Sequence, residues 1–574
     1  MSYDLLIIAS DGRTVNSMNH EDFRRLDGKY GMSSADWNDM VDAKAPRWTV
    51  EDTEMIFPAM KHYFSNGRHM GIAEADRAAY YAARDNDDLK FLNGIFLADF
   101  CTRHGYSVEV INRLDVDYRR LEEMLALGPR AVAISSTFIP NRRRIMEIAA
   151  WIKERDPDVH ILVGGPLVQY SHMIHKRQPE LAAEPSIRAL YFFQDDTPEP
   201  NPAIDAMVVD ARGEQTLVKI LEKIRAGEDY KALPNIAHYD SHNRLIINST
   251  EPEKLGMEEW QIDWEHMDEK FLGATVAVRG SMGCPLRCKF CSFVVLHDGW
   301  DLKGVDWLRS ELRSIATRSS IIKSISFSDD NVFLSRKDVN QYTRMMAEEK
   351  LPFNWSGYVR VSNITEDNID WLSDSKCIGM NIGIESGDRQ MLKNMRKGQN
   401  PERILKSIDL VNSRGISTAS SFIVGFPGET EESVGNTIKM LNSFAESGPA
   451  LNFYTAWVFA AIPLTPADTE RADWNLKGHL CDWEHSTMNV GDAHRQVQRM
   501  HREVTQGAYL HYPADDVHLS TSTEDRKAPL EALKLRHSLA VIDEYEMDTH
   551  CGRTRPETLD RLEQVVAKLP ITLP

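Results

Sequence analysis

The stretch RGSMGCPLRCKFCSF, residues 279–293, places Cys284, Cys288 and Cys291 within eight residues of one another. Thiolates are soft ligands, suited to zinc, copper or an iron–sulfur group. A structural metal site built only from protein donors normally uses four of them, so three leave two readings. Either His297 or a distant cysteine completes a zinc site, or one coordination position is kept open for chemistry. The other cysteines, Cys101, Cys377, Cys481 and Cys551, are scattered without partner spacing. They read as ordinary thiols in a reducing compartment rather than as a disulfide framework.

Outward from that loop the pattern is strand–helix alternation. ATVAVRG leads into the cysteines, and IIKSISFSDD, FNWSGYVRV, CIGMNIGIESG, ISTASSFIVGFPGET and LNFYTAWVF follow. Helical segments such as VDWLRSELRSIATRS and NPERILKSIDLVNSRG separate them. Six such repeats predict a partial parallel (β/α)6 barrel, in which reactive groups gather at strand C-termini. Those ends carry Asp329, Asp330 and Asn331, then Arg360, then Glu385 and Ser386, then GFPGE beginning at Gly425.

Upstream, YDLLIIAS, the helix-like DDLKFLNGIFLADFCTRHG, then YSVEVIN, RAVAISS, VHILVGG and AMVVDARGEQTLVKILEKIRAG continue the alternation. The fold class is therefore α/β: a doubly wound, Rossmann-like parallel sheet followed by the partial barrel. Such sheets bind ligands at the carboxyl ends of their strands. Here those ends carry Ser135, Ser136 and Thr137, then Gly164, Gly165 and Pro166, then Gly213 and Glu214. An insertion over residues 12–88 follows the first strand, too long for a simple connection, and is expected to cover that edge. The boundaries expected are 1–250 for the first domain, 251–480 for the barrel and 481–574 for a mostly helical cap. In CDWEHSTMN, residues 481–489, Trp483 and His485 either line a substrate cavity or form a buried capping turn.

Composition narrows the function classes. The chain has 574 residues, 42% hydrophobic and 27% charged, which is a multidomain globular composition. A net charge of −19 argues against a polyanion as main partner, since nucleic-acid binding draws on clustered Lys and Arg. MSYDLLIIASDGRTV has no basic n-region, and the sequence has no apolar run of about 18 residues. The expectation is a cytoplasmic protein acting on a small molecule or peptide, without nucleic acid or membrane.

The spacing Cys-x3-Cys-x2-Cys, with Phe290 before the last cysteine and the first barrel strand before the loop, resembles the radical S-adenosylmethionine (SAM) superfamily. That resemblance implies a [4Fe–4S] cluster held by Cys284, Cys288 and Cys291, with one iron left for SAM. It further implies SAM contacts from Phe290, Asp329, Asp330, Arg360, Glu385, Ser386, Arg389 and Gly425. Arg360, Glu385 and Arg389 also read as barrel-mouth ion pairs. The segments FLNGIFLADFCTRHGYSVEVIN, AVAISSTF, ILVGGP and ARGEQTLVKIL resemble the cobalamin-binding domain that precedes the barrel in cobalamin-dependent radical SAM enzymes. The implied cobalamin contacts are Gly94, Ser135, Ser136, Thr137, Gly164, Gly165, Pro166, Gly213 and Glu214.

One departure matters. Asp-x-His-x-x-Gly is absent after the first strand, where SDGRTVN stands, so the cobalt is expected without a histidine from that motif. Arg68, His69 or Trp48 of the insertion are candidates for the place beneath it, with an ordinary surface or packing role as the alternative. Arg68, His69 and His485 are the catalytic candidates. The activity implied is methyl transfer from SAM through methylcobalamin to an unactivated carbon or phosphorus in natural-product biosynthesis, with flavodoxin or ferredoxin as electron donor. A rearrangement, ring contraction or cyclisation would carry the same motifs, and a non-catalytic cobalamin or redox sensor is a third reading. A methylthiotransferase needs three N-terminal cysteines, and only Cys101 is available.

Overall fold

The computed structural model describes residues 3–10 and 89–509, apart from 115–116, 140, 189–190, 194–202, 211, 254, 298, 445–449, 451, 505–507. Arg68, His69, Trp48, Cys551 and the polar piece STSTEDRKAP lie outside the described residues.

β1 (Leu5–Ser10) is buried along its whole length. That is the pattern of a parallel strand covered on both faces, so the run LLIIAS is apolar rather than alternating. β3 (Val108–Ile111), β4 (Ala131–Phe138), β5 (His160–Gly164) and β6 (Ala206–Val208) join it in parallel, in the order β3-β1-β4-β5-β6. The expected parallel sheet is extended at its far edge by a hairpin that the sequence reading did not include. There β7 (Ile236–Tyr239) and β8 (Leu245–Ile247) run antiparallel as a hairpin. The turn between them needs only Asn243 in the left-handed region, at φ 58°, and short connections of this kind can join only antiparallel strands.

A correction concerns residues 87–105, expected to be helical throughout. Leu89–Lys90 is a short strand, β2, and the helix spans only Leu92–Arg103. β2 pairs with β9 (Thr275–Val278), the first barrel strand, and so closes the edge of the other sheet. Helix Leu92–Arg103 lies tightly on the N-terminal sheet at Gly94, where a Cβ would come 2.7 Å from Ala9 Cβ. Close helix–strand approach is by itself sufficient reason for a glycine at 94.

The barrel sheet begins at β2 and β9, and its remaining strands follow in chain order. Its six expected strands are β9, β12 (Ser324–Phe327), β13 (Asn354–Tyr358), β14 (Cys377–Glu385), β15 (Ser417–Val424) and β16 (Asn452–Val458), all parallel and in chain order. Side chains alternate across a strand, and residues in register share a face. One face carries Val276, Val278, Ile325, Phe327, Trp355, Met380, Ile382 and Phe422, all buried in the core beneath the helices. The opposite, lumen face carries Ser326, Ser356, Gly379, Asn381, Gly383, Ala419, Ser421 and Thr455. Small and polar side chains there leave the lumen room for a ligand.

The chain after residue 480 does not form a separate unit among the described residues. Helix Val490–Glu503 packs on β15 and β16, and β19 (Ala508–Tyr509) pairs with β16. One continuous core runs from Leu5 through Phe96 and Trp260 to Met500. Phe96 and Trp260 stack at 4.0 Å with a 6° interplanar angle where the two halves meet. Among the described residues, no helix is long and apolar enough to cross a membrane.

Candidate metal centre and barrel mouth

The three cysteines sit on an excursion whose base is a two-stranded hairpin. β10 (Ser281–Gly283) pairs antiparallel with β11 (Trp300–Leu302). Gly283 has φ +77°, and a Cβ there would meet the Gly299 carbonyl, so only glycine suits the turn. The acidic residues at the end of β12 brace this base. Asp329 accepts from the backbone N–H of Gly280 at 3.2 Å and from that of Ser281, while Asp330 accepts from Gly283 N–H at 3.1 Å. Burial pushes the Asp329 carboxyl up to about 6 and raises that of Asp330, against the opposing charge of Arg279. Both are expected as SAM contacts, and in the structure both hold the backbone of the cysteine loop.

The other wall is the segment after β14. Lys289 N–H donates to the Met395 carbonyl at 3.0 Å, and Cys288 Sγ lies 3.9 Å from the Arg396 carbonyl. Lys397 then turns inward. Its ammonium pairs with Glu385 at 2.8 Å and lies 5.7 Å from the centre of the Phe290 ring. Arg360 donates to the Lys397 and Gly398 carbonyls at 3.0 and 2.9 Å and to Ser362 Oγ at 3.0 Å. Phe290, Arg360 and Glu385, all expected as SAM contacts, thus come together around Lys397 beside Cys288. Lys397 and Arg279 were not anticipated.

Burial raises all three thiols, Cys291 to about 11, while the charges of Lys397 and Arg360 pull Cys284 and Cys288 back down. Thiols held this high stay protonated unless a metal displaces the proton. Among the described residues, no three His, Cys, Asp or Glu are disposed to hold a single metal ion. His297 stacks on Phe293, and the charges of Asp330, Arg279 and Arg212 act on it. A trio of thiols flanked by two cations suits a larger, anionic iron–sulfur group better than a tetrahedral zinc. Asn331 Oδ1, Asn381 Oδ1, both amide atoms of Gln399 and Arg279 Nε are buried without a hydrogen-bond partner. Unsatisfied polar atoms clustered at a barrel mouth fit a polar ligand.

Gly425 has φ +89°, and a Cβ would lie 2.6 Å from both Ala493 Cβ and the Trp483 ring. It is the point where GFPGE passes under the C-terminal helix. Trp483 is fully buried and donates through Nε1 to the Phe459 carbonyl at 2.7 Å. His485 stacks on Trp483, contacts the Gly425 carbonyl through Nε2 at 3.0 Å, and receives Thr487 N–H on Nδ1 at 3.3 Å. Both ring nitrogens are engaged, which fixes a neutral Nε2–H tautomer and makes the capping turn, not catalysis, the role of His485. Ser386 is buried against Thr437 and caps the backbone at Asp388. Arg389 pairs with Glu402 at 2.6 Å with both side chains exposed, so it stands apart from the mouth.

At the edge of the N-terminal sheet, Ser135 receives Asn93 Nδ2 at 2.9 Å and donates to Thr137 Oγ1 at 3.1 Å. Ser136 accepts from Leu167 N–H at 3.2 Å, bracing the turn at Gly164, Gly165 and Pro166. Gly165, at φ +102°, passes so close that a Cβ would sit 2.9 Å from Ser136 Oγ. A Cβ on Gly213 would sit 2.5 Å from Val208 Cγ1. Glu214 is buried, its carboxyl pushed up to about 7 by desolvation, with Oε2 unpartnered. This edge faces the cysteine loop: Gln169 Nε2 donates to the Leu296 carbonyl at 3.0 Å, and Arg212 pairs with Asp301 at 3.1 Å.

Comparison with known proteins agrees with this geometry. Residues 278–441 match the radical SAM superfamily. The chain is 27% identical over 348 residues to an uncharacterised methyltransferase of Pyrococcus horikoshii, covering 59% of this chain and 70% of that protein. It is 23% identical over 385 residues to the anaerobic magnesium-protoporphyrin IX monomethyl ester cyclase of Rubrivivax gelatinosus, covering 64% of each. Among solved structures, the radical SAM methyltransferase TsrM of Kitasatospora setae, with cobalamin and a [4Fe–4S] cluster bound, superposes with a TM-score of 0.51 at 16% identity. That match covers 82% of this chain and 75% of TsrM. The cobalamin-dependent radical SAM enzyme OxsB, with aqua-cobalamin and SAM bound, gives a TM-score of 0.53 at 14% identity over 84% of this chain and 82% of its own.

Proposed function

We propose, on the premise that this chain is a radical SAM enzyme with the fold of the cobalamin-dependent members, that it moves a methyl group from SAM through methylcobalamin to an unactivated carbon or a phosphorus. The acceptor is a small molecule or peptide, and the setting natural-product biosynthesis. The observation that carries this reading is the meeting of the three-thiol loop with the carboxyl edge of the N-terminal sheet, through Gln169–Leu296 and Arg212–Asp301. That juxtaposition supports a substrate pocket at the junction.

When bound, the cluster supplies one-electron cleavage of SAM and the corrinoid supplies methyl transfer. The protein's share is positioning. Cys284, Cys288 and Cys291 hold the cluster. Asp329 and Asp330 fix the loop that carries them. The unsatisfied amides of Asn381 and Gln399 and the Arg360–Glu385 side of the mouth orient SAM. Ser135, Thr137 and the glycine turn at 164–165 would hold the corrinoid. A one-electron carrier of the flavodoxin or ferredoxin class supplies the electron.

The test is anaerobic reconstitution with iron, sulfide and hydroxocobalamin, then incubation with methyl-labelled SAM and a pool of candidate substrates. Labelled product in the wild type and none in Cys284→Ser, with Cys101→Ser unaffected, is the expected result. The similarity to a named cyclase favours a second reading, cyclisation without methylation. An altered but unlabelled product, with 5′-deoxyadenosine released, would establish that reading instead.

A further inference from the structure

Lys397 occupies a prepared position. Its side chain is 13% exposed, and its ion pair with Glu385 is held from both ends. Glu385 sits at φ 72°, in the left-handed region that non-glycine residues rarely adopt, and from there its carboxylate meets the ammonium. Gly383 leaves the space, since a Cβ there would lie 2.9 Å from Lys397 Nζ. Arg360 clamps the backbone of Lys397 and Gly398, and the Phe290 ring lies alongside the ammonium. Phe290 is the neighbour of Cys291, and Arg396 carries the carbonyl that meets Cys288 Sγ.

We propose that Lys397 is a positioning residue whose fixed positive charge stabilises the reduced state of the iron–sulfur group held by Cys284, Cys288 and Cys291. The inference rests on reading these cysteines as ligands of such a cluster. The step is a one-electron reduction: the electron comes from an external carrier of the flavodoxin or ferredoxin class, and no bond forms or breaks. Reduction adds one negative charge to a group already surrounded by three thiolates. In a partly buried site the Coulomb energy of that added charge falls steeply when a cation stands nearby. Lys397 and Arg360 together exceed the charge of Glu385 by one, so the mouth has a net positive bias towards the cluster. Net charge and local hydrogen bonding are among the factors that set cluster potentials.

The experiment uses the full chain, reconstituted with iron and sulfide alone and titrated with redox mediators while the reduced cluster is followed by electron paramagnetic resonance. Leaving out SAM and corrinoid separates this role from cofactor binding. At the wild-type midpoint, Lys397→Met is expected to lower the reduced-to-oxidised ratio about tenfold, which is 59 mV for one electron. Lys397→Arg should stay within twofold of wild type. Glu385→Gln, which removes the opposing charge, should shift the ratio upwards. Lys397→Met with wild-type iron content and an unchanged ratio overturns the proposal. Where Lys397→Met fails to take up iron, Glu385→Gln decides: an upward shift supports the role and no shift overturns it. A wild-type chain that assembles no cluster overturns the functional reading, and this inference with it.

Discussion

The base of the cysteine excursion depends on an ion pair with no access to water. Lys303 Nζ lies 2.5 Å from Glu311 Oε2, and the two side chains are 0% and 1% exposed. Glu311 Oε1 also accepts from Trp264 Nε1 at 3.2 Å and from Ile262 N–H at 3.4 Å. Lys303 N–H reaches the Gly280 carbonyl at 2.7 Å, and its own carbonyl accepts from Tyr342. The pair therefore ties β11, the helix Val305–Thr317 and the linker at Ile262–Trp264 to one point under the cluster loop. Removing one partner of a buried pair leaves the other charge uncompensated, a loss of about 3–5 kcal/mol, whereas replacing both with apolar groups of similar volume is often near neutral. Lys303→Met should accordingly lose about 3–5 kcal/mol in urea unfolding of the apo chain, and Lys303→Met/Glu311→Leu should recover most of it. Iron uptake should follow the same order, being lowest in the single variant. A single variant within about 1 kcal/mol of wild type, or a double variant no better than the single, would refute the reasoning.

Gly425→Ala should cost about 2–5 kcal/mol, from left-handed strain plus overpacking against Trp483 and Ala493, and urea unfolding reads the loss directly. Glu429 is fully buried and its carboxyl is pushed up to about 8 by desolvation, so the folded chain keeps a proton that the unfolded chain has lost. Its contribution is complete below the ordinary 4.5 and fades as pH rises through about 8; Glu429→Gln should flatten the pH dependence of stability over that window, and an unchanged slope would count against it. His485 is held neutral, its pKa lowered mainly by burial, so its contribution fades as pH falls below about 6.5. His485→Phe should loosen the Gly425 turn, read as raised protease sensitivity near residue 425 together with weaker SAM binding. Gly94→Val should destabilise the N-terminal sheet by forcing its helix off Ala9, visible as a lower unfolding midpoint.

The barrel was legible because its signal is redundant. Six runs such as IIKSISF and CIGMNIGIE repeat the same alternation, and the second to fifth are followed by polar residues that a packed strand would not carry. β2 was not legible. Leu89 and Lys90 sit inside a sequence of helical period, and only the partner strand β9, nearly two hundred residues away, makes them a strand. Tertiary pairing overrode local periodicity there. Site residues divide in the same way. Three cysteines on one loop name their own chemistry, since no packing role requires that spacing. An aspartate at a strand end names none, because the same position can face the lumen or turn back onto backbone N–H groups. Asp329 does the latter, towards Gly280 and Ser281.

Lys397 shows the opposite limit. In KNMRKGQNP it reads as one more solvated lysine of a polar loop. Only the fold reveals that Glu385 turns towards it and that Gly383 clears its space. A side chain whose role is electrostatic leaves little trace in local sequence, because the charges that define its field come from other strands. The surest sequence sign was indirect: a second glycine, at 383, in the strand CIGMNIGIE, two residues before its glutamate. Glycine inside a strand marks close approach by something else. Here that something is an ammonium held against the mouth of the cluster site.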